Sequence, residues 1–125
     1  MSVLEEQLKE LQEKFPNATL QALPGNQILV VVPDYKIPPG WSKPNITIKF
    51  IVPTGYPVAR PDCFWTDPDL RLARGDLPRS TGANPLPHVS GAHLWFSWHL
   101  TAWNPNDDSL LTYVHVIGKR LAEAV

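Results

Sequence analysis

Ser97 and His99 are the side chains of this sequence whose types and spacing best suit acid–base chemistry. They stand two residues apart in the aromatic and apolar run 93–100, and residues two apart on an extended segment project to the same side. A histidine placed there can take the proton of the serine hydroxyl and make it a nucleophile for acyl transfer. Neighbouring side chains on one strand rarely reach good hydrogen-bond geometry, so two ordinary surface residues remain the alternative.

Cys63 is the single cysteine of the chain, so an internal disulfide cannot form and no second thiol is present to complete a zinc site built on cysteines. Its thiolate is the nucleophile that transfer from a thioester prefers. However, Cys63 lies in a short apolar stretch that ends at Trp65, where a buried cysteine packs as a small hydrophobic residue. We therefore favour a packing role for Cys63 and keep catalysis as the alternative.

The four histidines raise the question of a metal site, because imidazole is a frequent zinc ligand. His115 lies in a helical pattern, whereas His88, His93 and His99 lie in loop-like or strand-like segments. No two histidines stand four apart on one helix, and the acidic loop residues are typical of turns and caps. We predict no metal site and no cofactor.

Three tryptophans, Trp95, Trp98 and Trp103, lie close together after the long loop. Tryptophan fills cores, and it also anchors protein interfaces. Strand alternation separates Trp95 from Trp98, so we predict that one lies in the core and the other on the surface. With His88 and His93, these tryptophans are the candidate residues for binding a protein partner.

Composition limits the classes of partner. The 125 residues fit one domain, 1–125, and 43% hydrophobic against 18% charged residues favours independent folding. The net charge is −1 without a long basic run, which argues against nucleic acid as a partner. Residues 1–15 are polar and amphipathic and lack the apolar stretch of a signal peptide or membrane span. We expect a cytoplasmic protein that does not bind membranes.

Two amphipathic helices bracket the residues described above. The first has its apolar stripe at Leu4, Leu8, Leu11 and Phe15 and stops at Pro16. The second has its stripe at Leu110, Val114, Ile117 and Leu121. Residues 103–108 provide a turn and the candidate N-caps of this second helix.

Between the helices, the pattern changes to that of short strands. Residues 18–23 and 27–32 flank a turn at 24–26, residues 45–52 alternate, and residues 63–65 can form a fourth strand. Residues 66–92 form a long loop rich in proline, and loops of that length are usually functional. The pattern predicts an α+β fold: a helix, an antiparallel meander of three to four strands, the loop and a second helix.

Two corners in this order resemble those of the ubiquitin-conjugating superfamily, which includes conjugating enzymes, their inactive variants and RWD domains. Tyr56-Pro57 is followed by Pro61 and the fourth strand, and Trp103-Asn104-Pro105 precedes the last helix. The segment WFSWHLTAWNPNDDSLLTYV further resembles the prokaryotic family E of this superfamily. The resemblance implies that the two corners flank a shared cleft. It also implies acyl transfer in a bacterial pathway, with a ubiquitin-like modifier and its activating enzyme as partners.

The chain departs from the superfamily at the catalytic position. The usual nucleophilic cysteine would fall at Leu94 or Trp95, and Pro87-His88-Val89 is the nearest analogue of the His-Pro-Asn motif. Two expectations follow. Either Ser97, or less favourably Cys63, accepts the modifier with His99 as base and loop amides holding the oxyanion, or the chain is a non-catalytic RWD-like binding module.

Overall fold

An antiparallel sheet of six strands carries the fold of residues 2–125, the part of the chain that the computed structural model describes. The elements are α1 Val3–Lys14, β1 Thr19–Leu23, β2 Gln27–Lys36, β3 Asn45–Val52, β4 Phe64–Thr66, β5 Thr81–Gly82, β6 Leu94–Phe96 and α2 Leu110–Leu121. The strand order is β1-β2-β3-β4-β6-β5. The first four strands form the predicted meander, and the α+β class is confirmed.

Strands β5 and β6 extend the sheet beyond the predicted meander. β6 pairs with β4, with Phe64 opposite Phe96 and Trp65 opposite Trp95, and β5 forms the outer edge. These strands have two and three residues, too few for a periodic pattern to be visible in the sequence. Their pairing brings the end of the long loop back against the centre of the sheet.

The main core lies between one face of the sheet and the two helices. The alternation of β3 buries Ile46, Ile48, Phe50 and Val52, and the helices contribute Leu11, Leu110, Tyr113, Val114, Ile117 and Leu121. Burying each large apolar side chain contributes about 1.5 to 3 kcal/mol. A smaller cluster lies apart from the main core and consists of Leu23, Leu29, Trp65 and Leu86. The sheet is therefore packed on more than its helical face.

Ser109 caps α2, and the predicted caps within residues 103–108 are wrong. The Ser109 hydroxyl accepts from the amide of Thr112, and the Thr112 hydroxyl accepts from the amide of Ser109. The side chains of the preceding turn bond within that turn instead. Asp108 accepts from the amide of Asn104 at 2.7 Å, and the Asn104 side chain donates to Asp107 at 2.8 Å. Those side chains close the turn, and Ser109 is left to start the helix.

The two proline corners, which the resemblance places on either side of a shared cleft, lie side by side. The indole N–H of Trp103 donates to the carbonyl of Pro57 at 2.7 Å, and the rings of Trp103 and Tyr56 have centroids 5.9 Å apart. The Tyr56 hydroxyl also donates to Gln7 on α1. These contacts tie the loop after β3 to the segment before α2.

Arg120 carries a buried positive charge on α2. Its guanidinium donates to the backbone carbonyls of Arg79, Glu123 and Val125. The same group lies within 6 Å of the ring centroids of Trp41, Phe96 and Trp98. It thereby joins the long loop, the end of the chain and the aromatic core. Within residues 2–125, no helix has the length and apolar character needed to cross a bilayer.

Candidate functional site

The candidate site lies where β4 begins and its antiparallel partner β6 ends. Phe64 pairs with Phe96, so the next residues along, Cys63 and Ser97, leave the sheet at the same edge. The amide of Cys63 donates to the carbonyl of Trp98 at 3.0 Å, and the amide of Ser97 donates to the carbonyl of Ser80 at 2.8 Å. Three chain segments are thus fixed against one another by backbone hydrogen bonds.

Ser97, His99 and Asp62 form a hydrogen-bonded row at this edge. The Ser97 Oγ lies 3.4 Å from His99 Nε2, and His99 Nδ1 lies 2.6 Å from a carboxylate oxygen of Asp62. When Nδ1 carries the proton and donates it to Asp62, Nε2 is free to accept the proton of the serine hydroxyl. The side chains of Asp62 and His99 are each about 60% exposed, so a large partner can reach them.

Sequence reasoning found the Ser97–His99 pair but missed Asp62. Asp62 lies 37 residues before His99, and their contact depends on the pairing of β4 with β6. It also depends on Cys63, whose φ of +60° breaks the alternation that would separate the side chains of residues 62 and 63. No local pattern in the sequence signals such a backbone conformation at a cysteine.

Cys63 is buried, as expected for a packing role. It was predicted to lie inside the fourth strand, but it lies just before β4. The left-handed φ of +60° ends the extended conformation there. The hydroxyl of Tyr113 on α2 donates to the Cys63 carbonyl at 2.7 Å and holds this backbone in place. Burial raises the pKa of the Cys63 thiol, and the charge of Asp62 raises it further. Little thiolate is present at neutral pH, so the thiol is a weak nucleophile.

The amides of Ser97 and Cys63 do not provide an oxyanion hole. Both donate to backbone carbonyls, and an amide bonded in this way cannot also stabilise a developing oxyanion. These two amides therefore do not supply the expected stabilisation by loop amides.

The tryptophans divide differently from the prediction. Trp95 and Trp98 are both half-buried, so the expectation of one core residue and one surface residue is wrong. Trp95 packs on the smaller cluster, whereas Trp98 packs on the main core beside Arg120. β6 ends at Phe96, and the strand alternation on which the prediction relied stops there. Each indole has an apolar surface to pack against.

The candidate binding histidines lie apart from the serine. His93 precedes β6, whereas Ser97 follows it, and His88 lies exposed in the loop with a φ of +62°. Nε2 of His93 lies 3.0 Å from Nζ of Lys49, and its buried Nδ1 has no hydrogen-bond partner among residues 2–125. Burial lowers the pKa of His93, and the charge of Lys49 lowers it further.

The resemblance implies that the superfamily's nucleophile would fall at Leu94 or Trp95. Leu94 is 5% exposed and belongs to the main core, and Trp95 is half-buried. Neither side chain has an atom that can attack a thioester. Ser97, His99, Asp62 and Cys63 are the nearby side chains with atoms that can donate or accept a proton or act as a nucleophile.

No curated protein and no solved structure matches the chain. A family model described as prokaryotic E2 family E matches residues 5–124. The match begins within α1 and covers the sheet, the long loop and α2. The chain therefore belongs to prokaryotic E2 family E.

Proposed function

We propose that this protein accepts an activated ubiquitin-like modifier as an oxyester on Ser97, within a bacterial modification pathway. The observation that carries the proposal is the row of Ser97, His99 and Asp62, with contacts of 3.4 and 2.6 Å. Membership in prokaryotic E2 family E supports a ubiquitin-conjugating-like role. The partners are the modifier and its activating enzyme. We expect the reaction to take place in the cytoplasm, without nucleic acid or membrane.

The transfer step uses the three side chains in order. Ser97 Oγ attacks the carbonyl carbon of the modifier's thioester on the activating enzyme, while His99 Nε2 takes the hydroxyl proton. The carbon–sulfur bond breaks, and the proton passes from His99 to the leaving thiolate. The products are a modifier–Ser97 oxyester and a free thiol on the activating enzyme. Asp62 holds the imidazole and stabilises its transient positive charge.

A non-catalytic binding module is the second candidate. It is favoured by the absence of a reactive group at Leu94 and Trp95, where the superfamily's usual nucleophile would fall. Exposed apolar side chains fit such a role as well: Val58 is 80% exposed and Leu77 is 58% exposed. In that case the chain would position the modifier or its enzyme without forming a covalent bond.

A reconstituted reaction separates these functions. The purified protein is incubated with its activating enzyme, the modifier and ATP, and adducts are resolved with and without thiol reductant and after alkali. We expect an adduct that resists reductant and is cleaved by alkali, as an oxyester is. It should be absent in Ser97→Ala and present in Cys63→Ala. Ser90→Ala, in the exposed loop, is the matched control and should behave as the unchanged protein.

Two results would contradict the serine mechanism. An adduct that reductant removes, and that disappears in Cys63→Ala alone, would identify the thiol as acceptor. The lack of any adduct, together with retained binding of the modifier or the enzyme, would identify a binding module.

A further inference from the structure

Asp62, Cys63 and His99 bring three kinds of metal-ligating atom to one point. A carboxylate oxygen, the thiol sulfur and an imidazole nitrogen lie within 4.8 Å of one another. Among residues 2–125, this is the one group of three or more histidine, cysteine, aspartate or glutamate side chains whose ligand atoms come this close together. The prediction of no metal site rested on histidine spacing and on the acidic loop residues. The approach of Asp62 and Cys63 to His99 depends on the fold and is not visible in the spacing of the residues.

The backbone at Cys63 makes the convergence possible. Adjacent side chains of a regular strand point to opposite sides, so Asp62 and Cys63 could not bind the same metal ion there. The φ of +60° at Cys63 removes that restriction. A left-handed conformation is uncommon for a residue that is neither glycine nor asparagine, and such conformations concentrate at functional sites. Tyr113 and Trp98 fix the conformation through hydrogen bonds to the Cys63 backbone.

The distances suit a small tetrahedral ion after modest movement. Zinc–ligand bonds of about 2.0 to 2.3 Å place neighbouring ligand atoms about 3.3 to 3.6 Å apart. Asp62 and His99, now 2.6 Å apart, need to separate by under about 1 Å, and ligand atoms as far apart as 4.8 Å need to approach by about 1 Å. Both side chains are exposed and free to move, whereas the buried Cys63 provides a fixed sulfur.

We propose that Asp62, Cys63 and His99 bind a zinc-like divalent transition metal, with the fourth coordination position open to solvent. A set of one thiolate, one imidazole and one carboxylate suits zinc better than magnesium or calcium, which prefer oxygen ligands throughout. On binding, the thiol proton leaves to water and the sulfur coordinates as thiolate. The exposed side chains of Asp62 and His99 provide the entry path.

The metal would switch off the serine, an inference that rests on the proposed function. His99 Nδ1 faces Asp62 and Nε2 faces Ser97, so a metal beside Asp62 takes Nδ1. The neutral imidazole then carries its proton on Nε2, and this atom donates to Ser97 instead of accepting from it. Ser97 thus loses its base while the metal is bound, and a chelator restores it.

Cobalt provides the test, because Co²⁺ occupies zinc sites and shows a near-ultraviolet charge-transfer band when a thiolate binds it. The full chain, freed of metal by chelator, is titrated with Co²⁺ alone. We expect this band and intense tetrahedral visible bands. Cys63→Ser should lose the charge-transfer band. Asp62→Asn and His99→Gln should each weaken Co²⁺ binding by more than about tenfold. Loss of a group that only hydrogen-bonds to a metal ligand already costs about that much, and loss of a ligand should cost more. His115→Gln, an exposed histidine on α2, is the control.

The proposal is overturned if no charge-transfer band develops, or if His115→Gln weakens binding as much as His99→Gln does. His99→Gln alters an exposed side chain, so its result does not depend on whether a buried variant folds. A second arm adds Zn²⁺ to the reconstituted adduct reaction and expects slower adduct formation that chelator reverses. If adducts form equally fast with zinc bound, the inhibition of Ser97 by the metal is ruled out, whereas the metal site itself still stands. A complete lack of adducts would count against the proposed function, and the cobalt spectra would still decide the site.

Discussion

In the proposed mechanism, Asp62 orients the imidazole of His99 toward Ser97. Without it, either nitrogen of His99 could carry the proton, and a contact of 3.4 Å would not fix which nitrogen faces Ser97. The 2.6 Å contact between Asp62 and Nδ1 selects the tautomer in which Nε2 is the acceptor. The reactivity of Ser97 should therefore depend on a residue that does not touch it.

We expect Asp62→Asn to slow oxyester formation on Ser97 by at least about tenfold, because loss of the orienting carboxylate is costly in relays of this kind. The exposure of the row keeps the effect below that of a buried triad. The rate is measured in chelator-treated reactions, so that metal binding does not contribute. Asp76→Asn is the control, since Asp76 pairs with Arg74 on an exposed loop. Equal rates for the two variants would show that Asp62 has no orienting role.

At the residue scale, the sequence predicted what depends on local spacing. Ser97 and His99 stand two apart, and their side chains lie 3.4 Å apart although β6 ends before them at Phe96. Asp62 could not be found in this way, because its contact requires the register between β4 and β6 and the unusual φ at Cys63. The failed assignment of Trp95 and Trp98 has a related cause. Strand alternation was carried past Phe96, where the strand ends.

At the scale of elements, α2 supports the site through one hydrogen bond. Tyr113 lies on the buried face of the helix, and its hydroxyl donates to the Cys63 carbonyl. Burial raises the pKa of Tyr113, so the hydroxyl remains a donor throughout the neutral range. The helix thereby fixes the backbone that brings Asp62 and Cys63 to the same side.

We expect Tyr113→Phe to lower the free energy of unfolding by about 1 to 3 kcal/mol, because the buried carbonyl of Cys63 loses its donor. Urea unfolding at neutral pH provides the measurement. Tyr35→Phe is the matched control, because it removes a hydroxyl that makes no hydrogen bond within residues 2–125. Tyr35 is half-buried and packs on the main core. A loss in Tyr113→Phe no larger than in this control would mean that the bond does not stabilise the site.

Elements with long periodic patterns were predictable, and short ones were not. The stripe of Leu110, Val114, Ile117 and Leu121 lies within α2, and the alternation of residues 45–52 coincides with β3. The cap at Ser109 was missed because the acidic and amide residues before it satisfy one another. β5 was missed because two residues carry no period.

At the scale of the whole molecule, the pH dependence of stability should reflect His93. Its pKa is lowered in the folded state by burial, and Lys49 on β3 adds to the effect while Asp67 opposes it. The unfolded chain therefore binds the proton more readily than the folded chain. The contribution of neutral His93 to the free energy of unfolding is fully present above the unfolded-state pKa of about 6.5, and it is lost as the pH falls below that value.

We expect the unfolding free energy to decrease between about pH 7.5 and about pH 5, and His93→Gln to reduce that decrease. The comparison uses urea unfolding at both pH values. His115→Gln, on the exposed face of α2, should keep the full pH dependence. If His93→Gln and His115→Gln show the same slope, the lowered pKa of the partly buried His93 does not contribute to the pH dependence.

The overall architecture was predictable because several weak signals agree. Two amphipathic stripes, a run of short strands and the corners at Tyr56 and Trp103 all fit one α+β arrangement. The return of the long loop as β5 and β6 was not predictable, since it is specified by packing over long distances. That return brings Ser97 and His99 beside Asp62 at the start of β4.

The most direct test of the account is the site of attachment. The reductant-resistant adduct from the reconstituted reaction is digested, and the modified peptide is sequenced by tandem mass spectrometry. We predict that the remnant of the modifier lies on Ser97. A remnant on Cys63 would contradict the account, as would an adduct of unchanged yield in Ser97→Ala.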